Sequence, residues 1–163
     1  MKIRNPRRLF YCYRRYIILV IVSLILLGFI NNLALGQEHT YYFTSIQDGK
    51  GGSGTKQNPC RLNGNSKWIQ EIPDKPNVEI RFLPGDYSHY GSLRFSRAFT
   101  NWITFISDEP YKAILGGLKI YGGDHIIIDG FNVDGRGVTD GPIFHVGSAS
   151  KNIIIRNNII HDS

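Results

Sequence analysis

Asp129 and Arg156 are the first pair whose types and spacing suggest chemistry. They end two similar segments, Ile126-Ile127-Ile128-Asp129 and Ile153-Ile154-Ile155-Arg156, 27 residues apart. A carboxylate and a guanidinium in equivalent outward places either close an ion pair on each other or meet a charged substrate. Asp134, Arg136 and Asp140 make a second charged group in the loop after Val133. That loop is either a solvated turn or a substrate contact carried on a rigid scaffold. Three charged groups over seven residues are too few to assign a metal. His125, His145 and His161 share no column in the alignment described below, so each is expected at a surface or corner and not in a common metal site. Tyr41, Tyr42, Tyr87, Tyr90, Trp102 and Tyr121 are either packing residues or a platform for sugar rings.

Two further features point away from chemistry. Gly49-Lys50-Gly51-Gly52-Ser53-Gly54-Thr55 lacks the Gly-Lys-Ser/Thr ending of a phosphate loop, and no helical pattern follows it, so it reads as a turn. Cys60 is the one cysteine after residue 36 and is expected to be a small buried side chain with no disulfide partner in the chain.

The elements that must position these groups repeat. Val78-Glu79-Ile80-Arg81-Phe82, Trp102-Ile103-Thr104-Phe105-Ile106, Ile126-Ile127-Ile128-Asp129-Gly130 and Ile153-Ile154-Ile155-Arg156-Asn157 begin at intervals of 24, 24 and 27 residues. A second set, Leu93-Arg94-Phe95, Leu118-Lys119-Ile120 and Phe144-His145-Val146, is spaced by 25 and 26. In a third, Phe131-Asn132-Val133 answers Ile159-Ile160. Short β-branched or aromatic strands recurring in this way describe the turns of a coil whose strands pair in parallel with those of the next turn. One turn cannot bury its own apolar face; stacked turns can. Residues 78, 102, 126 and 153 are expected one above another, with the register of the second segment open by one residue because Trp102/Thr104/Ile106 and Ile103/Phe105 are comparably apolar. Gly130, Asn157-Asn158, Gly116-Gly117 and Gly122-Gly123 supply corners, and Asn157 and Asn158 are candidates for an amide ladder. Ser66-Lys67-Trp68-Ile69-Gln70-Glu71-Ile72 predicts a short helix capping the open end of the stack.

The ends set the compartment. Lys2, Arg4, Arg7, Arg8, Arg14 and Arg15 precede an apolar run of fifteen residues, Tyr16 to Ile30. That run is short for a span of about 20 residues, and Ala34 and Gly36 allow cleavage before Gln37. Residues 1–36 are therefore expected to be a signal peptide, 37–76 the first strand, Gly-rich turn and cap, and 77–163 the coils. Six of the nineteen basic residues lie in the signal segment, which leaves 13 Lys+Arg against 13 Asp+Glu. The basic excess is thus a property of targeting, and neither nucleic-acid binding nor stable membrane association after cleavage is expected.

Tyr41-Tyr42-Phe43-Thr44-Ser45, Asp48 to Thr55 with Asn58-Pro59, Phe82-Leu83-Pro84-Gly85-Asp86-Tyr87, Ile126 to Phe131 and Asn152 to Asn158 together resemble the pectate-lyase-like, right-handed parallel β-helix superfamily, in particular secreted bacterial polysaccharide-lyase-type proteins. The resemblance implies an all-β, right-handed parallel β-helix of about four rungs, secreted or periplasmic or at the cell surface. It implies action on acidic polysaccharide by β-elimination, in which a cation, often calcium, or Arg and Lys groups neutralise a uronate carboxylate while a base takes the C5 proton. The residues themselves identify no cofactor. Asp129, Asp134, Arg136 and Arg156 are the candidate substrate contacts. The alternative is a non-catalytic glycan-binding or adhesin-like β-helix. Ile159-Ile160-His161 reads as the middle of a repeat, so the chain is expected to be the N-terminal portion of such a coil without its catalytic rungs, and to self-associate through its last rung.

Overall fold

The computed structural model describes residues 39–46, 52–62, 67–136, 138–139 and 141–162. Residues 1–36, where a signal peptide is expected, and Asp48 to Gly51, Ser66 and Asp140 lie outside the described residues. Glu38–Ser163 forms a compact unit of its own.

The chain is an all-β parallel solenoid of about three turns. Its strands are β1 (His39–Thr44), β2 (Cys60–Arg61), β3 (Val78–Phe82), β4 (Gly85–Asp86), β5 (Ser92–Phe95), β6 (Ala98–Ser107), β7 (Ala113–Leu115), β8 (Gly117–Ile120), β9 (Asp124–Asp129), β10 (Asn132–Asp134), β11 (Phe144–Val146), β12 (Lys151–Arg156) and β13 (Ile159–His161). They assort into three sheets, in the orders β12-β9-β6-β3-β1-β2, β13-β10-β7-β4 and β11-β8-β5, with every described pairing parallel. From β3 onward each turn contributes one strand to each sheet, β1 and β2 both extend the first sheet, and β12 and β13 begin a further turn that the described residues do not complete. The sequence expectation of about four rungs is reduced accordingly.

The second segment's register resolves in favour of Ile103. Val78 pairs with Ile103, Ile103 with Ile126 and Ile126 with Ile153, so position 102 is replaced by 103 in the column. The cause is a bulge: between the pairs Ala98–Asp124 and Ile103–Ile126, β6 carries four residues where β9 carries one. Ile103 and Phe105 are buried, and Trp102 is turned to solvent. The second set stacks as expected, Leu93 on Leu118 on Phe144. In the third set Val133 pairs with Ile160, and Ala113–Leu115 and Gly85–Asp86 complete that sheet.

Alternation explains the core. β3 buries Val78, Ile80 and Phe82 and leaves Glu79 and Arg81 partly exposed. Trp68, 1% exposed, meets Phe43, Phe82, Phe95 and Phe105 edge-on at centroid distances of 5.4–5.8 Å. Where a capping helix is expected, Trp68–Glu71 makes a single 3-10 turn with no side-chain cap at its start. Its carbonyl end is held by Arg97, whose guanidinium donates to the carbonyls of Ile69, Gln70 and Ile72 while stacking over Phe99. Asp74, just beyond, accepts from the backbone and side chains of both Thr100 and Asn101.

The corners use left-handed backbone at repeated places. Asn77, His125 and Asn152 have φ of 58°, 53° and 48° immediately before the inward residue of the first sheet, and Gly130 and Asn157 (72° and 54°) follow its end. The Asn157-Asn158 corner makes no amide–amide ladder with the turn below, where Gly130-Phe131 stands. Instead Asn158 accepts from Phe131 N and donates to Ile128 O, tying the two turns together. Among the described residues no helix is long and apolar enough to cross a membrane.

Candidate functional site: three outward faces

The four residues singled out from sequence fall into two separate pairs. Arg156 stands opposite Asp129 on the first sheet and donates from Nε to Oδ2 at 2.8 Å; Asn157 donates to Oδ1 at 2.9 Å. Expected to face outward, Asp129 is only 8% exposed, because these two residues of the next turn close over both its oxygens. Asp134 lies on the second sheet and takes Arg136 in a bidentate pair, with Nε 3.0 Å from each oxygen. The guanidinium and the Arg136 backbone N–H hold the Asp134 carboxyl at a pKa of about 2.

Sequence reading missed two residues beside Asp134. His161 is its strand partner, and Asp162 follows, so that one ligand atom from each of the three lies within 4.8 Å of the others. His161 Nε2 is 2.8 Å from Asn132 Oδ1, and Nδ1 contacts Asp162. Calcium takes six to eight oxygen ligands. Two carboxylates, one already neutralised by Arg136, and an imidazole do not fit it, and no step is assigned to that ion.

Along the first sheet three cations meet carboxylates, Arg156 as above and two more toward its other end. Arg81 donates to Glu79 (2.8 Å) and Asp108 (3.2 Å), and Lys56 reaches Asp108 at 2.9 Å while lying over the Tyr42 ring. The hydrogen bond and charge of Asp108 raise the Lys56 pKa, so this ammonium is held as a cation and is not a base.

The third sheet differs. Leu93 and Phe95 of β5, and Leu118 and Ile120 of β8, are fully buried, so by alternation the residues between them face outward. Those residues are Arg94, Lys119 and His145, directly opposite one another on three successive turns. Strand spacing sets them about 4.8 Å apart along the stack. β5, β8 and β11 contain no acidic residue. Lys119 is 2% exposed, whereas Arg94 and His145 are half-buried and form the accessible ends of the ladder. Leu118 N donates to Ile143 O at 2.6 Å, extending the β8–β11 ladder by one residue. Tyr121, 41% exposed, lies against His145 with ring centroids 5.0 Å apart. The signal was present in the 25- and 26-residue spacing of the second set, whose middle residues are all basic.

The aromatic candidates also separate. Tyr87 is core, its hydroxyl donating to the carbonyls of Phe43 and Leu83, and burial pushes its pKa up. Tyr41 and Tyr90 are partly buried against the core; Trp102 and Tyr121 are exposed. The three histidines stand on three different sheets, as their spacing suggested. Cys60 is half-buried, and desolvation raises its thiol pKa.

Fold and faces thus define an all-β parallel solenoid with one mixed-charge, one acidic-edged and one basic outward surface. No protein-family model, curated sequence or solved structure matches the chain.

Proposed function

We propose that the chain is an exported, carbohydrate-active right-handed β-helix of the polysaccharide-lyase type, binding acidic polysaccharide along the outward face of its third sheet. The observation that carries this reading is the in-register ladder Arg94–Lys119–His145. The guanidinium of Arg94 and the imidazole of His145, at the accessible ends of the ladder, can donate to carboxylates spaced along an acidic polymer, which a neutral polymer lacks. Arg94 and His145 meet the ligand, and Lys119 adds positive potential from beneath. Cations against a uronate carboxylate also lower the cost of removing the adjacent C5 proton, which links binding to β-elimination. Tyr121 on His145 equally suits a non-catalytic binder, since an aromatic face packs on a sugar ring.

Affinity electrophoresis of the full chain through gels containing polygalacturonate or dextran tests the reading. Retardation by polygalacturonate alone, weakening with added salt, is expected. Equal migration in the two gels would overturn it. Unsaturated chain ends, followed by ultraviolet absorbance, separate the lyase from the binder.

A further inference from the structure

The residues immediately before the inward column of the first sheet make a row of their own. Asn77, Trp102, His125 and Asn152 precede Val78, Ile103, Ile126 and Ile153, which pair in that order from turn to turn. Three strand spacings make the row about 14 Å long. Asn77, His125 and Asn152 take the left-handed corner described above. Trp102 arrives differently: β6 runs unbroken from Ala98 to Ser107, and its bulge brings the indole to this place.

The bulge is held on both sides. Asp74 accepts from the backbone N–H groups of Thr100 (2.8 Å) and Asn101 (3.0 Å) and from both their side chains, which fixes the two residues before Trp102. Toward the next turn the indole meets the His125 ring with centroids 5.2 Å apart and planes at 78°. That ring is held in turn, with Nδ1 3.1 Å from Phe99 O, and Asn152 beyond it donates from Nδ2 to Asp124 at 2.9 Å. A large aromatic side chain is thus fixed in place while 41% exposed. Bulges re-aim side chains in this way beside binding sites.

The row is chemically unlike the third sheet. Amide, indole, imidazole and amide follow one another, and the charges beside them, Asp124 and Lys151, are of opposite sign and stand opposite each other. Amides and imidazole match hydroxyls as donors and acceptors, and the indole offers an apolar face. A pyranose ring with equatorial hydroxyls has the complementary form, an apolar C–H face with hydroxyls around its rim. A β-1,4 linkage repeats that face along an extended chain.

We propose that this row is a second glycan site, for a neutral β-1,4-linked chain laid along the stack with one ring on Trp102 and hydroxyls on Asn77, His125 and Asn152. The site does not rest on the third-sheet reading. Dextran, whose 1,6 links let successive rings turn freely, presents no such strip.

Affinity electrophoresis of the full chain through gels containing hydroxyethylcellulose tests the site. Retardation is expected and, unlike that by polygalacturonate, should persist in added salt, because no charges pair on binding. Trp102→Ala should weaken it at least about tenfold, Trp102→Phe should restore part of the loss, and Arg94→Gln should leave it unchanged. Thermal denaturation of Trp102→Ala should remain a single transition, so that lost retardation reports the site and not the fold. Trp68 is buried, so a cello-oligosaccharide should change the tryptophan fluorescence of the unsubstituted chain and not that of Trp102→Ala. Equal migration with and without hydroxyethylcellulose, or retardation kept in full by Trp102→Ala, overturns the proposal. Loss of polygalacturonate retardation alone sinks the third-sheet reading and leaves this site standing.

Discussion

The first and third sheets are stacked by the same rule and carry different outward side chains. Register places Arg156 over Asp129 on the first, and Arg81 between Glu79 and Asp108, so charge is cancelled within the protein. On the third it places Arg94, Lys119 and His145 in one line. A parallel solenoid repeats along its axis whatever its outward positions carry. A pair of opposite sign fastens adjacent turns; a column of basic side chains lines up hydrogen-bond donors along the stack.

The largest way to break the comparison removes the core that both faces share. Phe105, fully buried between Trp68, Phe95 and Phe99, is expected to cost about 3–5 kcal/mol on truncation to alanine. Thermal denaturation should then show both faces lost in one transition at much lower temperature. Next comes Asp129→Asn, which takes the charge from Arg156's partner and should lower stability by about 2 kcal/mol in urea titration, without weakening polygalacturonate binding.

Arg94→Gln and Arg81→Gln sharpen the contrast directly. The first should weaken polygalacturonate binding about tenfold, near 1.4 kcal/mol, and the second should leave it almost unchanged, as isothermal titration can measure.

The smallest effect concerns acid. Burial pushes the Asp74 carboxyl up, but the side chain and backbone of Asn101 and Thr100 outweigh it and bring the pKa to about 2. Because the folded value lies below the unfolded one, near 3.9, this stabilisation is complete above pH 4 and fades as pH falls toward 2. Asp74→Ala should flatten the acid limb of the stability curve there, at a cost near neutrality of about 1 kcal/mol.

The solenoid was legible because apolar triplets recur at a nearly constant interval, and parallel stacking turns sequence spacing into spatial columns. The one slipped column, 102 for 103, sits where Trp102 and Ile103 are both apolar and the bulge at Phe99–Trp102 adds residues that a constant period cannot show. The Asp129–Arg156 pair was readable as an alternative because both positions close equivalent segments. Its depth was not, since burial comes from Asn157 turning back across the corner. Asp134 with His161 needed the third set's register, which two short apolar segments fix only weakly. The seating of His125 depends on a side chain folding back toward Phe99 O, a contact with no trace in strand periodicity.

Reversing one rung of the ladder tests the central claim most directly. His145 lies opposite Lys119 at an accessible end of the ladder, so His145→Glu puts a carboxylate where the acidic chain is proposed to lie. Polygalacturonate affinity should fall at least about tenfold while thermal denaturation remains a single transition. Affinity that survives the reversal would contradict the claim that this basic column is what holds the acidic chain.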